Sequence, residues 1–249
     1  MEQEGFKLLT RSLELGHTFA MNELGFYFMQ KDTEHFDPER GLRYLRESAA
    51  RDDIYGFHNL GRTYEKGAGE ISADANAAFE WYSKAAEGGH PYAPVDIGRM
   101  YFKGSVEGGV NAKKAIEWYD KGLERGIGWG GANASWIIAN KKPAGYTLGD
   151  AAVRAAKAAT LRNEGAAKSA RAVLNDLPSR AKNTAVQMFL NDLGQSVTVD
   201  GLVGPQTLAA IEKFASTDEE RASLTDPDAR LLTLARAYWK QTKFRIDLF

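Results

Sequence analysis

Residues 81–90 read WYSKAAEGGH, and the same pattern returns as WYDKGLERGI at 118–127 and in weaker form as YLRESAARDD at 44–53. Each copy is displaced from the next by 37 residues. A fixed period of this length marks a stack of helix pairs, because one pair cannot bury its apolar face alone and a neighbouring pair has to cover it. The expected fold class is therefore all-α, an α-solenoid of stacked helix pairs.

The pairs share an internal grammar. The first helix carries an apolar residue, a glycine and a tyrosine at helical spacing, namely Leu60, Gly61 and Tyr64 in one copy and Ile97, Gly98 and Tyr101 in the next. Gly67 and Gly69, or Gly104, close it. The second helix has an apolar stripe of Ala78, Trp81, Tyr82, Ala85 and Ala86, matched by Ala115, Trp118, Tyr119 and Leu123. Asp74 is its N-cap candidate, and Gly88 and Gly89 are expected to end it by supplying positive φ. A glycine in the first helix lets an aromatic or alanine of the second approach its backbone. The aromatics Tyr64, Trp81, Tyr82, Tyr101, Trp118 and Tyr119 thus read as core rather than as a sugar-stacking surface. An earlier copy starts near Gly16 with Ala20, Leu24, Gly25, Phe26 and Phe28 and passes through an acidic loop at 31–36. It restarts at Asp37 and Pro38, an N-cap followed by a proline whose missing N–H is harmless in a first turn.

The run at 59–88 combines Leu-Gly-x-x-Tyr and a glycine turn with Asp-x-x-x-Ala-x-x-Trp-Tyr-x-Lys-Ala-Ala-Glu-x-Gly, and it resembles the Sel-one-like repeat, a relative of the tetratricopeptide repeat. The copy at 98–126 departs at Gly122 and Leu123, where that family has two alanines. The copy at 24–51 has Tyr44 and Leu45 in place of Trp-Tyr, which suits a terminal cap. The resemblance implies a solenoid used for protein–protein contacts, without catalysis of its own. Recognition then falls to first-helix positions that differ between copies: His58, Arg62 and Glu65, then Asp96, Arg99 and Lys103.

Beyond Gly126 the stretch GWGGANASWIIAN, with Trp129, Ala132, Ala134, Trp136 and Ile137, reads as the first helix of a divergent last pair. The alanine-rich stretch 150–162 reads as the second, with a thin interface for want of large apolar side chains. Residues 163–165 read as a junction, Gly165 being a stop signal after a long alanine helix. The repeat domain is expected over 1–163, about three recognisable repeats and the divergent one.

A second, helical module is expected over 166–249, with helices near 167–174, 180–193, 206–214 and 229–240. Its most informative turn is VTVDGLVGPQT, where Asp200 and Gly201 form a tight-turn pair and Gly204 precedes a proline suited to a first helical turn. The stretch VQMFLNDLGQSVTVDGLVGPQTLAAIEKF at 186–214 resembles the small peptidoglycan-binding domain attached to cell-wall hydrolases, above all the variant at the C-terminus of phage-type muramidases. The motif residues present are Gln187, Leu190, Asp200, Gly201, Gly204, Thr207 and Phe214, with Leu193, Gly194, Val199 and Ala210. The resemblance implies peptidoglycan as a ligand. Read from the residues alone, Asp200, Gly201, Gly204 and Thr207 build the turn, and a ligand groove would use neighbouring side chains.

Chemistry is limited by what the chain contains. Thirty-two basic and thirty-three acidic residues leave a net charge of −1, which gives no long-range attraction to nucleic acid. There is no cysteine, so no disulfide, thiolate nucleophile or cysteine metal site. The four histidines His17, His35, His58 and His90 show no ligand spacing, so no metal and no cofactor are expected. Acids such as Glu23, Asp96 and Glu164 lie in no recognisable glycosidase arrangement, and no G-x-S-x-G or P-loop is present, so no enzyme is expected. No stretch approaches the roughly 20 apolar residues of a membrane span. The start MEQEGFKLLTRSLELG does not read as a signal peptide.

The expectation is a bacterial scaffold or adaptor, with a protein partner on the repeats and peptidoglycan on the C-terminal module. Its place would be the periplasm or cell envelope if a leader precedes this sequence, and otherwise the cytoplasm. The alternatives are a soluble adaptor or immunity-type inhibitor of a secreted wall-active effector, its last module binding protein, or a cell-wall hydrolase.

Overall fold

The computed structural model describes residues 2–31 and 34–242. The fold is all-α, stacked helix pairs of an α-solenoid with a small C-terminal helical module, and no strand occurs among the described residues beyond one isolated bridge between Ala68 and Ile71. The chain packs as two compact units, Met1–Asn111 and Ala112–Phe249, so the division falls within the third helix pair.

The first unit holds α1 (Glu2–Glu14), α2 (Thr18–Phe28), α3 (Pro38–Ala49), α4 (Ile54–Lys66), α5 (Ala75–Glu87) and α6 (Ala93–Lys103). Helix α1 had no repeat to announce it. It covers the open end of the first pair, Phe6, Leu9 and Leu13 packing on Met21, Leu24, Phe28 and Tyr44. Within the expected loop at 31–36, residues 32 and 33 lie outside the described residues. The foreseen caps form: Asp37 accepts from Arg40 N at 3.0 Å, and Asp74 accepts from Asn76 N at 2.9 Å and Ala77 N at 3.0 Å.

The repeated glycine has the steric role its position suggested. A Cβ on Gly25 would lie 2.6 Å from Leu45 Cδ2, and one on Gly61 would lie 2.6 Å from Tyr82 Cδ1. The helices of a pair meet there, backbone against side chain. Of the two glycines ending α5, only Gly89 takes positive φ, at 96°. Gly88 stays helical (φ −71°) and is needed for space instead, since its Cβ would lie 2.5 Å from Ile54 Cγ2. The aromatic stripe also divides. Tyr82 and Tyr119 are buried, whereas Tyr64, Trp81, Tyr101 and Trp118 are half-buried. Each tryptophan carries a lysine over its ring, Lys84 at 4.3 Å from Trp81 and Lys121 at 3.8 Å from Trp118.

The second unit holds α7 (Ala112–Glu124), α8 (Gly128–Lys141), α9 (Leu148–Ala159), α10 (Glu164–Asp176), α11 (Ser179–Asp192), α12 (Pro205–Glu212), α13 (Asp218–Ser223) and α14 (Pro227–Gln241). Its centre is the alanine-rich α9, against which α8, α10, α11 and α14 all pack. The thin interface expected of it is overturned: Ala151, Ala152, Ala155, Ala156 and Ala158 are fully buried. Small side chains suit a helix approached from several sides at short range. The glycines of α8 serve the same end, for a Cβ on Gly130 would collide with the Tyr119 carbonyl and one on Gly131 would lie 2.9 Å from Ala158 Cβ.

Gly165 is not a stop signal. Helix α9 ends at Ala159, Asn163 caps α10 by accepting from Ala166 N at 2.9 Å, and Gly165 lies in the first turn of α10, where a Cβ would sit 3.1 Å from the Trp129 ring. Further ties secure α9. Arg154 grips Asp120 through two bonds of 2.8 and 2.7 Å, Trp239 Nε1 donates to the Lys157 carbonyl at 3.3 Å, and the Lys157 ammonium lies 3.5 Å from the Tyr238 ring centre. Burial holds the Lys157 ammonium below the usual lysine range.

Candidate functional sites

Two places collect the residues singled out from sequence. The first is the first-helix face of the N-terminal unit. Here His58, Glu65, Asp96 and Arg99 do not stand free; they bind one another. His58 Nε2 lies 2.8 Å from Asp96 Oδ2, and because a carboxylate only accepts, the imidazole proton sits on Nε2. Asp96 Oδ1 also accepts from Arg99 at 2.8 Å, Arg99 forms a two-pronged pair with Glu65, and Glu65 accepts from the Tyr82 hydroxyl at 3.0 Å. Burial pushes the carboxyls of Glu65 and Asp96 up, but the hydrogen bonds and charges of Arg99, with Tyr82 for one and His58 for the other, outweigh it and leave both below the usual range. Tyr82 is pushed up by burial and by those two carboxylates. Behind this chain His90 is buried, stacks on His58 with ring centres 4.0 Å apart, and accepts the Ala93 N–H on Nδ1 at 3.2 Å.

The other two candidates lie apart from that chain. Arg62 has its guanidinium 5.3 Å from the centre of the Phe26 ring, and Lys103 is exposed in the last turn of α6, where a cation complements the helix C-terminus. Around Arg62 runs a groove between α2 and α4. One part, of about 790 Å³, is lined by Phe19, Asn22, Phe26, Tyr55, His58 and Tyr92 among others. The adjoining part, of about 410 Å³, shares Phe26, Asn59 and Arg62 with it.

Two features of this groove escaped the sequence reasoning. The helical spacing puts Phe26 on an apolar face, yet it and Phe19, Tyr55 and Tyr92 are exposed. The signal was available: Phe19, Tyr55, Tyr92 and Trp129 follow one another at 36, 37 and 37 residues, one aromatic at the start of each first helix. The second is Asp53. It caps α4 by accepting from Tyr55 N and Gly56 N, both at 2.9 Å, and it also receives Thr18 Oγ1 at 2.6 Å and Asn22 Nδ2 at 2.9 Å from α2.

The second site is the turn between α11 and α12. Gln187, buried at 2% exposure, holds it from within. Its Nε2 donates to Asp200 Oδ1 at 2.7 Å and to the Leu202 carbonyl at 2.8 Å, and its Oε1 accepts from Asp200 N at 3.0 Å and Gly201 N at 2.8 Å. Asp200 Oδ1 accepts from Leu202 N at 2.8 Å, and with Gln187 this holds the carboxyl below the usual range. Gly201 is at φ +77°, and a Cβ there would lie 2.7 Å from Arg180 Cγ. Leu190 and Thr207 are buried, Phe214 is half-buried, and Gly204 stands at the N-cap of α12. The motif therefore builds the turn, and the large apolar side chains that the turn presents to solvent are Val199 and Leu202. Among the described residues no group of three or more histidine, aspartate or glutamate side chains is placed to hold a metal ion. No helix among them is long and apolar enough to cross a membrane.

Glycine-mediated helix pairs in series define a protein of the tetratricopeptide-like α-solenoid class. Residues 18–53, 58–90 and 92–127 match the Sel1 repeat family, and residues 183–243 match the family described as predicted peptidoglycan domain. The chain carries three Sel1 repeats followed by a peptidoglycan-binding-like domain. Among solved structures it is similar to c5321, described as a protective antigen present in uropathogenic Escherichia coli strains and displaying an SLR fold, at 22% identity and a TM-score of 0.54, over 96% of this chain and 51% of that one. The chain thus spans about half the length of that relative. It is also similar to a Sel1 repeat protein from Oxalobacter formigenes, at 18% identity and a TM-score of 0.53, over 86% and 76% of the two chains. No curated protein sequence matches it.

Proposed function

We propose that the chain is a non-catalytic scaffold of the bacterial cell envelope, holding a protein partner on its repeats while its C-terminal module docks on peptidoglycan. The observation that supports this best is the presence, in one chain, of three Sel1 repeats and a segment matching a peptidoglycan domain. The functional modules are read as 1–163 and 166–249. The partner side draws further support from the groove of exposed aromatics along α2 and α4. On the wall side Val199 and Leu202 are the contact candidates, because the motif residues beneath them are occupied in shaping the turn.

Sedimentation with purified peptidoglycan tests the wall half. The wild-type protein is expected in the pellet and the double variant Val199→Ser, Leu202→Ser in larger part in the supernatant. A wild type left wholly in solution overturns wall binding. Clearing of a peptidoglycan zymogram would overturn the non-catalytic reading.

A further inference from the structure

Resting on that reading, we infer that the groove between α2 and α4 takes an extended acidic peptide from the protein partner, with a carboxylate side chain next to an aliphatic one. The end of the groove toward the α4 C-terminus has an apolar floor of Phe26, Met29 and Leu45 and three cationic side chains, Lys31, Arg62 and Lys66, with no carboxylate among its described lining residues, whereas Glu23 and Asp53 line the adjoining part. The single carboxylate of α4, Glu65, is turned to Arg99 and Tyr82. Three cations gathered beside an apolar floor suit a carboxylate that brings an apolar neighbour, and they repel a basic segment. The Phe26 ring steadies the planar fork of Arg62, which suits a two-pronged grip on a carboxylate.

In the adjoining part of the groove Phe19, Tyr55 and Tyr92 stand exposed as a surface for the flanking side chains.

The test is a selection of phage-displayed random dodecapeptides on the full chain, followed by fluorescence anisotropy of the winning peptide. Enriched peptides are expected to carry Asp or Glu beside Leu, Ile, Met or Phe. Affinity is expected to weaken with rising salt and to fall at least about tenfold in Arg62→Glu. Changing the peptide's acid to its amide should weaken binding as much. Lys66→Gln, on an exposed side chain, repeats the charge test should Arg62→Glu fail to fold. Neutral or basic winners whose binding is lost in Tyr55→Ala would overturn the acidic assignment while leaving partner binding on the repeats in place. No enrichment above background would overturn both.

Discussion

His58 Nε2 donates to Asp96 Oδ2 across 2.8 Å, so the imidazole of one first helix is held by a carboxylate of the next. Asp96 also holds Arg99, and Arg99 holds Glu65 back on α4. Side chains that differ from repeat to repeat are thereby spent on registering α4 against α6. Asp96→Ala would leave His58 and Arg99 each short of an acceptor in a half-buried setting, and a loss of roughly 1–3 kcal/mol is expected in urea denaturation. Lys103→Ala should stay within about 0.5 kcal/mol. Equal effects of the two would contradict the registering role.

Acid should weaken the first unit through three carboxyls. Burial pushes Asp53, Glu65 and Asp96 up, but their hydrogen bonds, joined for the last two by Arg99, bring each below its ordinary value. A carboxyl that takes its proton less readily when folded contributes stability that is complete above the unfolded pKa, about 4, and is lost as pH falls through and below it. The urea midpoint is expected to be level between about pH 6 and 7 and to drop below about pH 4.5. Asp53→Asn should lower the neutral plateau and flatten the acid limb. A wild-type midpoint unchanged down to about pH 3 would count against this account.

Two glycines that end or line helices should respond differently to the same change. Gly61→Ala drives a Cβ to within 2.6–2.9 Å of the Tyr82 ring, which is fully buried and cannot move aside, so a loss of about 2–3 kcal/mol is expected. Gly89→Ala meets no atom within 4 Å and carries only the strain of φ +96°, about 1–2 kcal/mol. Thermal melts of the two variants, compared with the wild type, test the ranking.

In the C-terminal module, Gln187→Ala removes the four bonds that Gln187 makes to the turn and strands two backbone N–H groups, Asp200 and Gly201, so a loss of roughly 2–3 kcal/mol is expected. Leu202→Ser, on an exposed side chain, should leave stability within about 0.5 kcal/mol. If the proposed wall binding holds, peptidoglycan sedimentation beside the melts separates the two: Leu202→Ser is expected to weaken binding in a folded protein, and Gln187→Ala to weaken it by loosening the turn.

Much of the architecture was legible beforehand because its signals are local. The caps at Asp37 and Asp74 and the Asp200-Gly201 turn depend on residues close in sequence, and the 37-residue period is a repetition of such local patterns that shows without knowing which copy touches which. What escaped depends on residues far apart. Helix α1 has no copy elsewhere, and only packing on Met21 and Leu24 identifies it as a cap. The low side-chain volume of α9 suggested a thin contact, whereas helices close on it from several sides. Arg99 and Glu65, 34 residues apart, looked like separate surface charges until the fold set them together.

The sequence by itself determined the all-α class, the helix-pair period, the glycines at the crossings and the turn of the last module, since cap and turn chemistry act within a few residues of backbone and the period and its glycines recur in every copy. Only the tertiary structure decided which side chains remain to meet a partner. Pairing across helices removed His58, Glu65, Asp96 and Arg99 from the free surface, and Gln187 took up Asp200 and Gly201. Packing left Phe19, Phe26, Tyr55 and Tyr92 facing solvent, because an aromatic is buried or exposed according to what stands opposite it, and that is set by the neighbouring helix.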